Sequence, residues 1–349
     1  MSGTKLSYLR RPLFRGMSVL LVFLLAGCIP IPYIVYEPGT AESTRPLVSV
    51  GQPLGEETGE LLLTTVKTTY ANVWKLAVSR FNPNAELYRR DDILRGATRS
   101  EYAARLQALM GASQQNAVAA AYEALDIPYE ERSSEAVVIS VQPGSDAEGT
   151  LQPGDAIVAV DGRPLSSEQG VAELIGQRGA GSEVTVAYRR ENREREAEIV
   201  LQSLPDTDPP RAGIGITFAP VVTVESLDPA KQAKVTVSHI GGPSAGLMLA
   251  LEIVNQLTEA DITQGYTIAG TGTISPDGTV GKIGGVVHKV VAAEREGAAL
   301  FLTPAANAEA AARKAKEIGS SMRIVPVKTL EDALSYLSEL PPPSTPPSM

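Results

Sequence analysis

A serine lies at a glycine-rich turn between two apolar segments. The sequence SHIGGPSAGL covers residues 238–247 and contains Ser244. The preceding KVTVSHI alternates as a β-strand does, and the following LMLALEIVNQL has apolar residues at helical spacing. Glycines and a proline at this turn allow a helix to begin abruptly. Ser244 is therefore expected to lie at the positive N-terminal end of that helix, beside backbone N–H groups that have no partner within it. Such groups can hold an oxyanion, so Ser244 is a candidate nucleophile. The alternative is a helix-capping hydroxyl.

A serine nucleophile needs a base, and Lys289 is the candidate. It follows a Gly-Gly turn in GKIGGVVHKVVAA, at an apolar helix start. A free lysine titrates near ~10.4, so a base acting near neutrality needs its pKa lowered to about 7. Apolar surroundings and the positive end of a helix both lower it. The alternative is a lysine whose stem passes the valines to reach water. Lys282, before the same turn, is expected to be exposed.

The pattern G-x-S-x-G at residues 242–246 also permits a Ser-His-Asp hydrolase. Asp277 and His288 follow the serine in the order of that fold. His288 is the neighbour of Lys289 on one helix, however, so both cannot face the serine. His239 is expected to be a packed or surface residue. This reading therefore remains an alternative to the Ser-Lys pair.

The composition excludes several classes of function. The chain has 349 residues and a net charge of −9, with no basic stretch that contains interspersed aromatic residues, so nucleic acid is not an expected partner. A single cysteine, Cys28, rules out an internal disulfide, and two histidines make a zinc site improbable. We expect neither a metal nor a cofactor.

The N-terminus predicts attachment to a membrane. Residues 1–15 are basic and are expected to remain cytoplasmic, and residues 16–36 are uncharged and apolar enough for a transmembrane signal anchor. The sequence Leu25-Ala26-Gly27-Cys28 also fits a lipoprotein signal that ends at Cys28. The apolar run continues past Cys28, which favours the uncleaved anchor. Either reading places the rest of the chain outside the cell membrane.

The rest of the chain divides by composition. We expect a linker at 37–58, a strand and helices at 59–121 with a break near Gly111, and a disordered proline-rich tail at 341–349. Residues 122–204 resemble a PDZ domain of the circularly permuted bacterial kind, on the basis of VVISVQPGSDAEG and GTLQPGDAIVAVDGRPL. The resemblance implies that a peptide adds as a strand to the sheet edge. Its carboxylate loop would lie near Leu125, Asp126 and Ile127.

Residues 212–340 resemble the proteolytic domain of Lon-type proteases. The resemblance is based on GGPSAGLMLALEI and on AGTGTI with DGTVGKIGGVVHKVVAA. It implies that Ser244 is the nucleophile, that Lys289 is the base, and that the hydroxyl of Thr271 helps to orient the lysine. The oxyanion would be held by backbone groups of Gly242, Pro243 and Ala245. The segment 59–121 would complete this domain, with the PDZ domain inserted.

These features predict an α+β protein that is an ATP-independent, membrane-anchored serine endopeptidase. The sequence contains no G-x-x-x-x-G-K-[ST] motif, so no nucleotide is expected, and the substrates would be unfolded or membrane-proximal proteins selected by the PDZ domain. A membrane-tethered PDZ scaffold with an inactive protease-like domain is an alternative. Lon-type domains often form rings, but these residues leave a homo-oligomer open.

Overall fold

The computed structural model describes residues 25–55, 57–167, 169–176, 178–204 and 211–341. The predictions for residues 1–24, and for the tail beyond Pro341, lie outside these residues. Among the described helices, none is both long and apolar enough to cross a bilayer.

The mixed content of helices and strands agrees with the predicted α+β class. The strands are β1 (Pro30–Ser43), β2 (Val48–Val50), β3 (Glu60–Asn72), β4 (Glu86–Arg89), β5 (Tyr129–Val141), β6 (Ala156–Val160), β7 (Arg163–Pro164), β8 (Glu183–Arg190), β9 (Arg193–Val200), β10 (Gln202–Leu204), β11 (Arg211–Gly213), β12 (Ile216–Ser226), β13 (Ala233–Val235), β14 (Thr267–Gly270), β15 (Thr273–Ile274), β16 (Val280–Gly281), β17 (Leu300–Pro304) and β18 (Arg323–Val327). The α-helices are α1 (Val73–Ser79), α2 (Arg90–Leu94), α3 (Arg99–Ala124), α4 (Val171–Ile175), α5 (Gly246–Leu257), α6 (Val286–Arg295), α7 (Ala308–Glu317) and α8 (Leu330–Ser338).

The chain forms two compact units. The smaller unit contains residues 25–39 and 66–96 of the described chain, and the larger unit contains residues 40–65 and 97–341. In the smaller unit, β4 pairs antiparallel with residues 33–36 of β1. Strands β1 and β3 contribute residues to both units.

A sheet in the larger unit has the strand order β18-β17-β14-β3-β1, and Thr271 directly follows β14. Strand β14 pairs in parallel with β17 on one side and with β3 on the other, and β17 pairs in parallel with β18. Parallel neighbours require crossover connections, which α6 and α7 provide. Every residue of α5 except Gln256 is buried, so this helix forms the centre of the core.

The N-terminal boundaries differ from those predicted. Residues 30–36, predicted as the end of the membrane span, belong to β1, where Ile34 and Val35 are buried. Prolines at 30 and 32 disfavour a helix, and the β-branched residues beside them favour a strand. The linker predicted at 37–58 is also wrong over much of its length, because β1, a 3-10 helix at Arg45–Leu47 and β2 occupy residues 37–50.

Two predictions near the serine also differ from the structure. Helix α3 runs without interruption through Gly111, because its long flanks outweigh the weak helix propensity of one glycine. The strand predicted at KVTVSHI is reduced to β13. Beyond it the backbone bonds elsewhere: the Thr236 N–H donates to the Leu47 carbonyl, and the Gln114 side chain on α3 bonds to Val237.

A second sheet has the order β12-β5-β6-β8-β9, with β7 paired to β6. Its core contains buried aliphatic residues of β5, β6, β8, β9 and α4. Strand β12 follows the other strands in sequence, yet it pairs antiparallel with β5 from Ile216 opposite Val141 to Ser226 opposite Tyr129. It is therefore an edge strand of this sheet.

Candidate active site

Ser244 lies in the turn directly before α5, which begins at Gly246. Two glycines at this turn could not be replaced without strain, one because of its backbone conformation and one because another side chain lies close to it. Gly242 has a φ of +88°, a conformation that other residues rarely adopt. A Cβ atom on Gly246 would lie 2.8 Å from the Ser113 hydroxyl oxygen, too close to fit without a shift. The serine itself is partly exposed, so a substrate can reach it.

Lys289 reaches this turn from α6. Its Nζ lies 2.9 Å from the Oγ of Ser244 and donates a hydrogen bond of 2.5 Å to the carbonyl oxygen of Thr64. The residue is only 3% exposed, and burial lowers the pKa of Lys289 from 10.5 to about 7. A neutral amine can accept the proton of the serine hydroxyl. The predicted pair therefore has the geometry and the electrostatics of a nucleophile and its base.

Thr271 is fully buried, but its hydroxyl bonds to the Ser244 backbone and not, as expected, to the lysine. Its hydroxyl donates a hydrogen bond of 3.0 Å to the carbonyl oxygen of Ser244, which also accepts one from the N–H of Gly272 at 2.9 Å. Thr271 therefore holds the backbone of the nucleophile. The carbonyl of Thr64 orients the lysine instead.

The backbone donors available to an oxyanion are fewer than predicted. The N–H of Gly242 donates to the carbonyl of Leu106 at 2.9 Å, and Pro243 has no N–H to donate. Among the described residues, no hydrogen bond uses the N–H of Ser244 or Ala245. These two adjacent groups are the donors that remain open beside the nucleophile.

Helix α3 supplies contacts that the sequence did not reveal. Besides the carbonyl of Leu106, the hydroxyl of Ser113 donates a hydrogen bond of 2.9 Å to the carbonyl of Pro243. The amide of Asn116 donates to the carbonyl of Ile274, three residues after Thr271. Their partners are backbone atoms distant in sequence, for which a single sequence carries no signal.

The competing residues are not arranged as a Ser-His-Asp triad. Asp277 is exposed and accepts a hydrogen bond from the N–H of Thr279. His288 lies on α6, and its side chain is buried. His239 bonds to Glu42 at the surface, at 2.8 Å. Lys282 is exposed, as expected.

The predicted carboxylate loop at residues 125–127 is not supported. The three N–H groups are engaged at the end of α3, where they donate to the carbonyls of Ala121, Glu123 and Tyr122, respectively. Ile127 is buried in the core that surrounds α5, and Leu125 packs against it. The backbone there has no donors to offer a peptide carboxylate.

Two family models match this chain. Residues 233–339 match the Lon protease (S16) C-terminal proteolytic domain, and residues 123–201 match the PDZ domain. Ser244, Thr271 and Lys289 lie in the first match. Strand β12 lies between the two matches, although it pairs within the sheet of the second.

Named relatives are Lon proteases. The chain is 37% identical over 103 residues to Lon protease of Neorickettsia sennetsu, covering 29% of this chain and 12% of that protein. It is 36% identical over 103 residues to Lon protease 2 of Bacillus subtilis, covering 30% of this chain and 18% of that protein. It is 29% identical over 170 residues to peroxisomal Lon protease homolog 2 of Caenorhabditis elegans, covering 49% and 21%. The chain thus spans 12% to 21% of the length of these relatives.

Solved PDZ domains are also similar. The PDZ domain of the SdrC-like protein from Listeria monocytogenes is 28% identical, with 25% of this chain and 88% of that chain covered and a TM-score of 0.23. The corresponding domain from Listeria innocua is 31% identical, with 24% and 92% covered and a TM-score of 0.23.

Proposed function

Because this chain combines a Lon-type proteolytic domain of the serine-peptidase class with a PDZ domain, we propose that it is an ATP-independent endopeptidase that cleaves unfolded or membrane-proximal proteins. The observation that carries the proposal is the distance of 2.9 Å between Lys289 Nζ and Ser244 Oγ, with a buried lysine whose pKa is about 7. A lysine that only packed against the core would not need to reach this hydroxyl.

The geometry supports a two-step acyl transfer. Neutral Lys289 takes the hydroxyl proton as Ser244 Oγ attacks the peptide carbonyl, and the N–H groups of Ser244 and Ala245 stabilise the oxyanion. The resulting ammonium gives its proton to the leaving amine when the C–N bond breaks. Water then loses a proton to the Lys289 amine as it attacks the acyl carbon, and the ammonium returns that proton to Ser244 Oγ when the ester C–O bond breaks.

Independence from ATP is proposed from the sequence. Its 349 residues contain no phosphate-binding G-x-x-x-x-G-K-[ST] motif. A protease that acts without a motor receives at its active site only segments that are already extended. The PDZ domain then supplies the selection of substrates.

The open edge at the start of β12, near Ile216, is the best candidate for peptide selection. Farther along the strand, the Val224 N–H donates to the Gln115 side chain of α3. The outer side of β12 has no partner strand among the described residues, and the turn before it contains Gly215 with a φ of +74°. No hydrogen bond between described residues uses the N–H of Ile214 or Gly215. The side chains of Ile216 and Phe218 on β12 and of Leu174 on α4 are partly buried, and they pack against the core of the second sheet. An added strand would pair with β12 and place its carboxylate at these N–H groups.

Membrane attachment completes the proposal. Its support is the sequence of residues 1–28, with a basic start, an apolar run and the Leu25-to-Cys28 lipoprotein pattern. Lipidation of Cys28 places the catalytic unit on the outer face, as a transmembrane signal anchor would. Because β1 begins at Pro30, the uncharged run from residue 16 is shorter than the roughly 20 residues that span a bilayer, which favours lipidation. Mass spectrometry of the purified N-terminus distinguishes an intact Met1 from an acylated Cys28.

The peptidase activity is tested with the full chain and an unfolded protein substrate, without ATP. We expect cleavage by the unaltered protein and none by Ser244→Ala or Lys289→Ala. The matched controls Ser238→Ala and Lys282→Ala lie outside the site and should cleave normally. Cleavage by the Ser244→Ala variant would overturn the assignment, and no cleavage by the unaltered protein would favour a PDZ scaffold.

A further inference from the structure

The smaller unit holds most of the exposed apolar side chains. Ten of the fourteen large hydrophobic residues exposed in the described chain belong to it. The other four, Leu54, Leu109, Val200 and Leu227, are scattered over the larger unit. Scattered apolar residues are normal on a protein surface, whereas a concentration in one small unit indicates an interaction surface.

Helix α1 shows the reverse of the pattern expected in a water-soluble domain. Its apolar residues include Trp74, which is 40% exposed, and Val78, which is 60% exposed, while its single buried residue is Ser79. Phe81, two residues beyond the helix, is 87% exposed. A helix that faces water would place these side chains in the core and the serine outside.

The charge and the residue types of this unit fit a lipid surface. It contains six Lys or Arg and four Asp or Glu residues, in a chain with a net charge of −9. Anionic headgroups attract a unit whose six basic and four acidic residues give a net charge of +2, and Trp and Tyr are typical of the interface between membrane and water. Tyr33 and Tyr88 are exposed in the same unit as Trp74.

The course of the chain also brings this unit to the bilayer. The basic and apolar residues 1–24 run directly into the described residues of this unit, the first of which is Leu25. Only two residues, Ala26 and Gly27, separate Leu25 from Cys28, the alternative site of attachment. A unit that directly follows either anchor cannot move far from the membrane.

We propose that the smaller unit is a second membrane contact, in which α1 and Phe81 enter the interfacial layer of the bilayer. The proposal rests on the membrane attachment proposed above. The occupant is lipid and not a second copy of the chain, since the surface is basic, rich in aromatic residues and adjacent to the anchor. Such a contact adds to a single anchor and fixes the orientation of the attached protein.

Trp74 makes the test direct, because it is the only tryptophan in the chain. The full-length protein is reconstituted into phosphatidylethanolamine–phosphatidylglycerol vesicles with or without lipid brominated on the acyl chain near the headgroup. We expect the brominated lipid to quench at least half of the emission and the vesicles to reduce quenching by aqueous acrylamide at least twofold, relative to protein in detergent-free buffer. Emission unaffected by brominated lipid would overturn the proposal.

Variants separate this surface from the anchor. The double substitution Val78→Ser and Phe81→Ser should reduce lipid quenching at least twofold, while Leu109→Ser and Leu227→Ser should not change it. Peptide hydrolysis should remain normal in both. Flotation of vesicle-bound protein with an unquenched Trp74 contradicts only the surface proposal, whereas failure to float contradicts the anchor as well. Emission that is insensitive to both quenchers, with crosslinked dimers, would assign the surface to a second copy.

Discussion

The hydroxyl of Ser113 on α3 donates a hydrogen bond of 2.9 Å to the carbonyl oxygen of Pro243, the residue that precedes the nucleophile. The Gly241–Gly242 peptide group, two groups earlier in the chain, is also held by α3, because the Gly242 N–H donates to the carbonyl of Leu106. The catalytic turn is thus fixed by a helix that leads directly into the PDZ domain.

Removal of the Ser113 hydroxyl should slow catalysis without weakening substrate binding. The Ser113→Ala variant leaves the Pro243 carbonyl without this donor, and we expect a loss of about 1.4 kcal/mol, or roughly tenfold in kcat, with KM unchanged. Steady-state kinetics on a peptide substrate measure both constants. The exposed Ser100→Ala on the same helix is the control, and an unchanged kcat in Ser113→Ala would contradict the positioning role.

Burial of Lys289 should cost stability in a pH-dependent way. Its pKa in the folded protein, about 7, is below the ordinary value of 10.5, so between these values the unfolded chain binds a proton that the folded chain does not. Stability therefore rises with pH across this range. The Lys289→Met variant has no amine to titrate and therefore lacks this dependence. We expect its gain in free energy of unfolding over the unaltered protein to be about 3 kcal/mol larger at pH 7 than at pH 9.5.

Urea unfolding of both proteins at the two pH values measures that difference. Lys282→Met, at an exposed lysine, should show no such dependence. A gain of equal size at both pH values would show that the amine of Lys289 is not held neutral in the fold.

The open edge of β12 should determine which substrates bind. Shortening the side chains beside it with Phe218→Ala and Leu174→Ala should raise KM at least fivefold for an unfolded substrate with a free C-terminal carboxylate, at unchanged kcat. Val200→Ala, on the opposite edge strand β9, is the control. If an amidated C-terminus binds as well as a free carboxylate, the assigned carboxylate site is wrong.

The proximity of Ser244 and Lys289 was predictable from sequence, because the glycine-rich turn, the apolar helix start and the Lon-type motifs are local patterns. The sequence did not predict Thr64, since the carbonyl that orients the lysine comes from a strand 225 residues away in sequence. The sequence also did not predict the partner of the Thr271 hydroxyl, which bonds to the Ser244 carbonyl and was expected to orient the lysine, because such a partner depends on tertiary packing. The linker was misread at residues 37–50, where strand pairing outweighs the local glycine and proline signals.

The central claim is that neutral Lys289 activates Ser244, and the pH dependence of Ser244 acylation tests it most directly. The single-turnover rate with a peptide ester should rise with pH and reach half its maximum near pH 7, where the lysine loses its proton. Lys289→Ala should abolish this rise, and Lys289→Arg should not restore the rate. A rate that is constant from about pH 6 to 9, or one that Lys289→Ala leaves unchanged, would contradict the claim.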